Sequence, residues 1–258
     1  MIIYLLTGKY LCTNQIFKTM KKILVLALLL SICLSAFSQK KVAVITYRLD
    51  KTIGSGNLGE NAAFLKDVLT LAEDPNFDLQ PVLDDFHDNF VNELAKDFPF
   101  ELLPSEEVVN DPAYKSYVND ADTAGQFYIL PEGYKVMYRP VLGMGQRDKK
   151  AMIEAFKDKA DGIMFALIGF EFNKTTMMGV GVAKIKAIYN LVCYNMDGKK
   201  VFDIYRDASS KKSVPVAAGF PIMKLEKIQP LCTSAADELM KDVKKKLPKM
   251  ARKAGKKL

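Results

Sequence analysis

The sequence predicts an α/β (α+β) protein built on a single mixed sheet of about five strands, with helices packed on that sheet. Two observations support this prediction. Residues 161–207 hold three successive strand-like runs separated by turn signals, and apolar residues at helical spacing recur before and after them. The predicted elements follow in the order strand, helix, strand, helix, hairpin, helix, and a single domain accommodates all of them.

The amino-terminal segment is typical of a secretory signal. Met20 and two lysines are followed by an apolar run over residues 23–32 and by the small residues Ala36 and Ser38. We therefore expect translation to start at Met20, which leaves residues 1–19 untranslated, and cleavage after Ser38. The predicted divisions are a signal peptide at 20–38, one α/β domain at 39–247 and a basic tail at 248–258.

Two other interpretations of this segment stay open. A membrane anchor is disfavoured because the apolar stretch at residues 23–37 is shorter than the roughly 20 residues that a spanning helix needs. A lipid-modified Cys33 is disfavoured because a lipoprotein signal carries a small residue before its cysteine, and Ile32 is not small.

The first strand is predicted at residues 41–47, which form a short β-branched run. The glycines at 54, 56 and 59 then match G-x-G-x-x-G and precede a plausible helix at residues 60–72. This motif binds a dinucleotide when its first glycine follows the strand directly, and residues 48–53 intervene here. The sequence therefore predicts a loop and no cofactor site.

A helix is predicted at residues 84–96, where Phe86, Phe90 and Leu94 share one face and Asp84 or Asp85 is available to cap the amino end. A short strand at residues 100–103 follows, and a further helix is predicted at residues 148–160. His87 lies beside the apolar stripe and is expected at the surface or its boundary.

Between these elements, residues 112–144 are rich in loop signals and tyrosines. The tyrosines either form a recognition surface, because a rigid amphipathic ring gives contact area at a low entropy cost, or pack against the core. They are Tyr114, Tyr117, Tyr128, Tyr134 and Tyr138.

The centre of the predicted sheet is a hairpin. Residues 163–172 are apolar nearly throughout and predict a strand covered on both faces. Residues 184–194 alternate between apolar and polar, and the Asp197-Gly198 turn returns the chain into a third strand at residues 201–206. The apolar loop at residues 177–181 is interpreted as a buried turn, with a membrane or partner contact as the alternative.

The last helix is predicted to open with a capping box at residues 234–237. Its apolar stripe includes Leu239, Val243 and Leu247, and Pro248 is expected to end or kink it.

Basic residues are concentrated at the carboxyl end. Residues 241–258 carry nine basic residues against Asp242 alone, whereas the rest of the mature chain is mildly acidic. This asymmetry is typical either of a contact with an anionic surface or of a solubilising, frayed carboxyl terminus, and the sequence favours neither. The candidate residues are Lys244, Lys245, Lys246, Lys249, Arg252 and Lys253.

Two cysteines, Cys193 and Cys232, remain after signal cleavage. In an oxidising envelope such a pair can form a disulfide. The alternative is two separate buried thiols, because Cys193 falls on the apolar face of a predicted strand.

The order of the elements, with Ala160-Asp161-Gly162 opening the strand pair and Asp197-Gly198 turning it, resembles a known bacterial α/β domain. This domain is shared by the curli-secretion channel lipoprotein, the penicillin-binding-protein activator lipoprotein and the amino-terminal domain of the Tol-system propeller protein. The resemblance implies a non-enzymatic envelope protein that binds other proteins or assembles into rings. Because the mature chain lacks an amino-terminal lipid cysteine and shows no pair of long alternating hairpins, membrane anchoring and pore formation do not carry over.

We therefore expect an exported, non-enzymatic envelope protein that acts as a binding or assembly module. Its expected partner is an envelope protein, an anionic envelope surface or a second copy of the chain. A periplasmic hydrolase is the alternative, although the sequence contains no H-E-x-x-H, G-x-S-x-G or Cys/His metal spacing. No catalytic, cofactor or metal-binding residue is predicted, and export argues against a nucleic-acid partner.

Overall fold

The computed structural model describes residues 39–57, 68, 70–119, 127–141, 143–177, 180–217, 220–221 and 224–254. The predicted signal peptide, its cleavage site, Cys33 and most of the helix predicted at residues 60–72 lie outside these ranges. The described residues from Lys40 onward belong to one compact unit.

The fold is built on one mixed sheet, as predicted. Eight strands are described, of which β2, β3 and β8 are two residues long. β1 runs parallel to β2 and β4, whereas β4, β5 and β6 are antiparallel neighbours, and β7 continues beside β5. The strands are β1 (Lys41–Gly54), β2 (Glu101–Leu102), β3 (Tyr128–Ile129), β4 (Gly162–Met177), β5 (Val180–Asn195), β6 (Lys200–Ser209), β7 (Val214–Ala217) and β8 (Phe220–Pro221).

Five α-helices are described, together with short 3₁₀ turns. α2 and α3 are single short turns between β2 and β3, and the other three helices pack on the sheet. The helices are α1 (Gln80–Asn92), α2 (Ser105–Val109), α3 (Pro112–Ser116), α4 (Gln146–Phe156) and α5 (Ile228–Ala254).

One face of the sheet, which we call the helix face, is buried by α1 and α5. Along β5 the alternating residues Ile185, Ala187, Tyr189, Leu191 and Cys193 point into this layer and are at most 1% exposed, as the alternation predicted. From α5 they meet residues that include Leu239, Val243 and Leu247, all fully buried. The principal hydrophobic core therefore lies between α5, α1 and this face.

The opposite face is covered over part of its length. α4 packs Met152 and Phe156 on Ile163 and Phe165 of β4, together with Tyr114 of α3. Farther along the strands, Arg48 of β1 pairs with Leu167 of β4, and Leu167 pairs with Asn190 of β5. Gly169 follows two residues after Leu167 on the same face of β4. We call this uncovered part the open face.

The central strands are longer than the sequence predicted. β1 continues to Gly54 rather than ending at residue 47, because Leu49 and Asp50 pair with β3 and Ile53 and Gly54 pair with β4. β4 and β5 form a hairpin of two 16-residue strands, so most of the predicted loop at residues 177–181 belongs to strands. The described residues thus contain one long hairpin, β4–β5, with longer strands than predicted.

The longer β1 also removes the spacing argument against a dinucleotide loop, since Gly54 is itself the last residue of the strand. The structure gives Gly56 a packing role instead. Gly56 has a φ of 55°, and a Cβ atom there would lie 1.7 Å from the carbonyl oxygen of Phe172. Only a residue without a side chain allows this close approach to β4.

The starts of α1 and α5 also differ from those that the sequence predicted. α1 starts at Gln80, with Pro81 in its first turn, and the Gln80 backbone N–H donates to Asp78 Oδ1, so neither Asp84 nor Asp85 has the predicted capping role. α5 starts at Ile228 rather than at residue 234, because buried Ile228, Leu231 and Cys232 extend its apolar stripe toward the amino end.

The helix α5 also continues through Pro248 to Ala254. Leu247 and Ala251, on either side of that proline, are fully buried, and their packing offsets the hydrogen bond that proline cannot make. The segment predicted as a basic tail is therefore helical as far as Ala254.

Candidate functional site

The strongest candidate site is a groove of about 330 Å³ on the open face, where β1 and β4 separate. We call it the open-face groove. Its wall combines charged, amide and aliphatic side chains with exposed backbone. The residues that define it are Arg48, Asp50, Leu167, Gly169, Ile188 and Asn190.

Two irregularities of β1 create this groove. The register with β4 shifts between Val44 and Thr46, so that Tyr47 and Leu49 fill the helix face while Arg48 points to the open face. A second shift follows between Leu49 and Ile53, which pair with Ile168 and Phe170. Three residues of β1 thus lie opposite one residue of β4, and the widened gap exposes the β4 backbone.

Arg48 is the cation of the groove, and 8% of its side chain is exposed. Its guanidinium carbon lies 4.3 Å from the ring centroid of Tyr128 and 5.5 Å from that of Tyr138. The negative faces of aromatic rings attract a guanidinium, so the two tyrosines hold this side chain in place. Two of the five loop tyrosines considered as a recognition surface therefore contribute to the site.

Asp50 lies beside this cation, with its Oδ1 atom 3.5 Å from Arg48 Nε. That contact is an ion pair without the geometry of a hydrogen bond, because both atoms lack hydrogen-bond partners among the described residues. Burial raises the pKa of the Asp50 carboxyl, and the charge on Arg48 counteracts only part of that effect. Arg48 therefore neutralises the negative charge of an ionised Asp50 only in part.

Asn190 forms the opposite wall on β5. Its Nδ2 atom donates to Asp203 Oδ1 at 3.5 Å, and Asp203 also pairs with Arg139 and Lys200. The remaining Asn190 Oδ1 is buried without a partner among the described residues, and so is Arg139 Nε. Of these two residues only Asn190 lines the groove, so this wall has an unused acceptor.

The partnerless atoms distinguish this groove from the other cavities that the described residues line. Arg48 contributes two of them, Nε and Nη1, while Asp50 and Asn190 contribute one oxygen each. Leaving a buried polar group without a partner costs about 1 to 3 kcal/mol, and a charged group costs more. Such a cluster is expected where a bound ligand or ordered water supplies the missing hydrogen bonds.

Gly169 provides space in the groove. A Cβ atom at this position would meet no heavy atom within 4 Å, so the gap above the β4 backbone is open. Its φ is not in the left-handed region, so the backbone does not require glycine. Glycine within a strand lowers stability, so this residue is explained by the open space it leaves and not by the fold.

Buried hydrogen bonds fix the segment that brings Tyr138 to Arg48. Asp148, in the first turn of α4, accepts from the backbone N–H of Tyr138 at 2.9 Å and from the hydroxyl of Tyr117 at 2.8 Å. Asp148 is 5% exposed, so both bonds are shielded from water. The position of α4 is therefore coupled to the Tyr138 ring that contacts Arg48.

The cysteines lie away from this site. Cys193 and Cys232 are free thiols in the structure and both are buried in the helix-face core. Burial raises the pKa of each thiol, which keeps it protonated and unreactive. The disulfide between them stays a sequence-based hypothesis.

The predicted anionic-surface residues lie on α5. Lys244, Lys245, Lys246, Lys249 and Arg252 are exposed, and Lys253 lies in the same helix. Several neighbouring charges are already paired, since Lys244 contacts Glu93 at 2.7 Å and Lys246 contacts Asp242 at 2.6 Å. The structure does not bring these residues to the open-face groove, and their contact with an anionic surface stays a prediction.

His87 also lies on the helix side of the sheet, where it is half-buried between Tyr47 and Tyr134. Burial lowers the pKa of its imidazole, an effect that Asp88 and Asp84 oppose. Within the described ranges no three metal-ligating side chains come together, and no described helix is long and apolar enough to cross a membrane.

Comparisons with known proteins do not show a family. No family model and no curated protein matches the chain. Among solved structures, a neuraminyllactose-binding hemagglutinin homolog from Helicobacter pylori is 10% identical with a TM-score of 0.36, covering 85% of this chain and 91% of its own. The hypothetical protein CT253 from Chlamydia trachomatis is also 10% identical with a TM-score of 0.36, covering 84% and 98%.

A third similar structure is lipoprotein GNA1162 from Neisseria meningitidis, 10% identical with a TM-score of 0.27, covering 79% of this chain and 99% of its own. The structural neighbours of the chain are thus bacterial proteins that include a lipoprotein and a hemagglutinin homolog. At these scores their similarity carries no argument about its activity.

Proposed function

We propose that this chain is an exported, non-enzymatic envelope protein that works by binding, and that the open-face groove holds its ligand. The main support is a cluster of buried polar atoms on Arg48, Asp50 and Asn190. These atoms have no hydrogen-bond partner among the described residues. Export rests on the sequence of residues 20–38, which has the composition of a secretory signal.

The size of the groove supports this proposal. At about 330 Å³ it lies at the lower end of the range for small-molecule sites, roughly 300 to 1,000 Å³. Apolar walls from Leu167 and Ile188 alternate with a few polar groups, which is the usual composition of a ligand site. The expected occupant is therefore a small molecule or the end of a partner's chain rather than a large flat surface.

The open-face groove is a stronger candidate for a ligand-binding site than the basic surface of α5. Charges on an exposed helix are solvated and form weak, salt-sensitive contacts, so they require no ligand. The groove polar atoms are instead shielded and incompletely paired in the described residues. Deleting residues 244–258 would also be a poor test of the basic surface, because Leu247 and Ala251 are fully buried.

The proposal can be tested with a variant that fills the groove. Gly169→Leu places a side chain in open space without a backbone conflict. Thr175→Leu is the matched control, because Thr175 is an exposed residue farther along β4 and outside the groove. Each tagged protein would be crosslinked in its native envelope, and captured molecules identified by mass spectrometry.

We expect the same captured molecule with the wild-type chain and with Thr175→Leu, and its loss with Gly169→Leu. Capture that survives Gly169→Leu, in a variant that unfolds at or above the wild-type temperature, would rule out the groove as the binding site. Charge reversal of Lys245 and Lys249 in the same experiment would show whether the basic surface contributes.

A hydrolase is the second candidate, and Asp50 is the observation that favours it. A carboxyl group whose pKa is raised by burial in a groove is a suitable general acid. Turnover of an envelope substrate that disappears in Asp50→Asn would replace the binding proposal with this one.

A further inference from the structure

We infer that the open-face groove binds a zwitterion, a free α-amino acid or a short peptide with free ends, whose carboxylate pairs with Arg48 and whose ammonium group is held by Asp50 and Asn190. This inference rests on the proposed function, since it names the class of ligand for the same groove.

The carboxylate is inferred from the state of Arg48. A buried guanidinium needs an anion with good hydrogen-bond geometry, because taking its charge out of water is costly. Asp50 does not meet that need, since the closest approach of the pair is 3.5 Å without a hydrogen bond. Arg48 Nε and Nη1 remain as donors for a ligand carboxylate, and charge-assisted bonds of this kind are about twice as strong as neutral ones.

The ammonium group is inferred from the two unused acceptors. Asp50 Oδ1 and Asn190 Oδ1 are oxygens on opposite walls of the groove, and both need a donor. A ligand ammonium has three N–H donors and a positive charge, so it can serve both oxygens and also favour the ionised form of Asp50.

Two simpler ligand classes fit less well. A purely anionic ligand would satisfy Arg48 but would repel Asp50 and leave Asn190 Oδ1 without a donor. A neutral sugar could donate to Asn190 but would leave the guanidinium without a full counter-charge. A zwitterion supplies both charges within a few bonds, which matches the mixture of groups around one small groove.

The floor of the groove limits the middle of the ligand. Gly169 leaves bare backbone between the apolar side chains of Leu167 and Ile188. A peptide unit or a small aliphatic side chain fits such a floor in a groove of about 330 Å³. The inference is therefore restricted to small amino acids and dipeptides.

Calorimetry on the full mature chain at low salt would test this inference. The probe is L-alanyl-L-alanine, compared with its N-acetyl form, its C-amide form and the form blocked at both ends. Acetate and a neutral disaccharide represent the purely anionic and the sugar classes. We expect the free dipeptide to bind, and each block to weaken binding by about tenfold or more, because each removes a charged hydrogen-bonding group.

Variants assign each end of the dipeptide. Arg48→Met should bind the free and the C-amide forms with similar, weak affinity, and Asp50→Asn should discriminate less between the free and the N-acetyl forms. Thr175→Leu should bind as the wild type does, and thermal unfolding of every variant would confirm folding.

The doubly blocked dipeptide binding as tightly as the free one would overturn the inference, and so would acetate binding equally well or no binding of the free dipeptide at millimolar concentration. These results are separate from the capture experiment with Gly169→Leu. If capture depends on the groove while the dipeptides fail, the proposed function stands and the ligand class is wrong. If capture does not depend on the groove, the proposed function itself fails.

Discussion

The two faces of the same sheet differ in how completely their side chains find packing or hydrogen-bond partners among the described residues. On the helix face, residues such as Tyr189 and Leu191 of β5 meet an equally apolar layer from α5 and are almost fully buried. On the open face, their strand neighbour Asn190 leaves a buried oxygen without a partner among the described residues. Alternation along one strand thus places stabilising residues and candidate binding residues side by side.

This difference indicates which residues serve stability and which do not. Each apolar group buried on the helix face stabilises the folded protein. On the open face, burial of polar groups without partners destabilises it. We therefore expect substitutions on the helix face to destabilise the fold, and substitutions in the groove to leave stability unchanged or raise it. The following predictions test that contrast, from the largest expected effect to the smallest.

Leu239→Ala on α5 should have the largest effect. Leu239 is fully buried in the helix-face core, so the substitution removes apolar contacts and leaves a cavity. We expect the free energy of unfolding to fall by about 2 to 5 kcal/mol, measured by urea denaturation. A loss below about 1 kcal/mol would mean that α5 packs loosely on the sheet and that the two faces differ less than described.

Asp148→Ala should have the second-largest effect, because it removes the buried acceptor of the Tyr138 N–H and of the Tyr117 hydroxyl. We expect a loss of about 1 to 3 kcal/mol in the free energy of unfolding, together with faster hydrogen exchange at the Tyr138 amide. Asp148→Asn is the matched control, since its amide oxygen still accepts one bond and should cost less. Unchanged exchange at Tyr138 in Asp148→Ala would contradict the coupling of α4 to the groove.

Gly169→Val should stabilise the fold while damaging the groove. The new side chain meets no heavy atom within 4 Å of its Cβ, and replacing a strand glycine removes an entropic cost of about 0.5 to 1 kcal/mol. Chemical denaturation should show a gain of that size, while ligand binding falls. Gly56→Ala is the opposing control, since its Cβ would collide with the backbone of Phe172. Destabilisation by Gly169→Val would show that the glycine serves the fold.

Asp50→Asn should have the smallest effect, and that effect should depend on pH. Because burial raises the pKa of Asp50, the folded protein retains this proton at pH values where the unfolded chain has lost it. The stability contributed is fully present below the ordinary value of 3.8 and is lost as pH rises through the raised value.

The amide introduced by Asp50→Asn cannot ionise, so this variant should be more stable than the wild type at neutral pH, with the difference vanishing below about pH 4. Paired denaturation curves from acidic to neutral pH would measure it. The gain should be small because 34% of the Asp50 side chain is exposed. A wild type that is more stable than the variant at neutral pH would reverse the sign and indicate a well-paired carboxylate.

The helix face was predictable from sequence because it obeys simple periodicity. The alternation through Ile185, Tyr189 and Cys193 identified the buried side of β5, and the stripe through Leu239 and Leu247 identified the buried side of α5. Both signals arise from burial of apolar side chains, which local spacing reports directly. The predicted mixed sheet and the order of its elements followed from the same signals.

The groove was not predictable in the same way. It depends on two register shifts in β1, and a shift that moves Arg48 from one face to the other leaves no mark in the hydrophobic pattern. The sequence instead predicts a loop for Arg48 and Asp50, since their polarity ends the apolar run. Gly169 was the available signal, because a glycine inside an otherwise continuous apolar strand indicates a close approach or an open space.

The position of α5 as the last described element has a consequence for synthesis of the protein. A ribosome delivers Ile228–Ala254 after all eight described strands, so the part of the helix face on β5 and β6 that α5 covers stays without that cover until this helix has been made. A chain that stops before residue 228 would lack the α5 side of the core around Leu191 and Cys193 and would present an apolar strip to solvent. Such a strip is a substrate for chaperones and an aggregation hazard, so we expect truncated forms to be cleared rather than to persist as partial proteins.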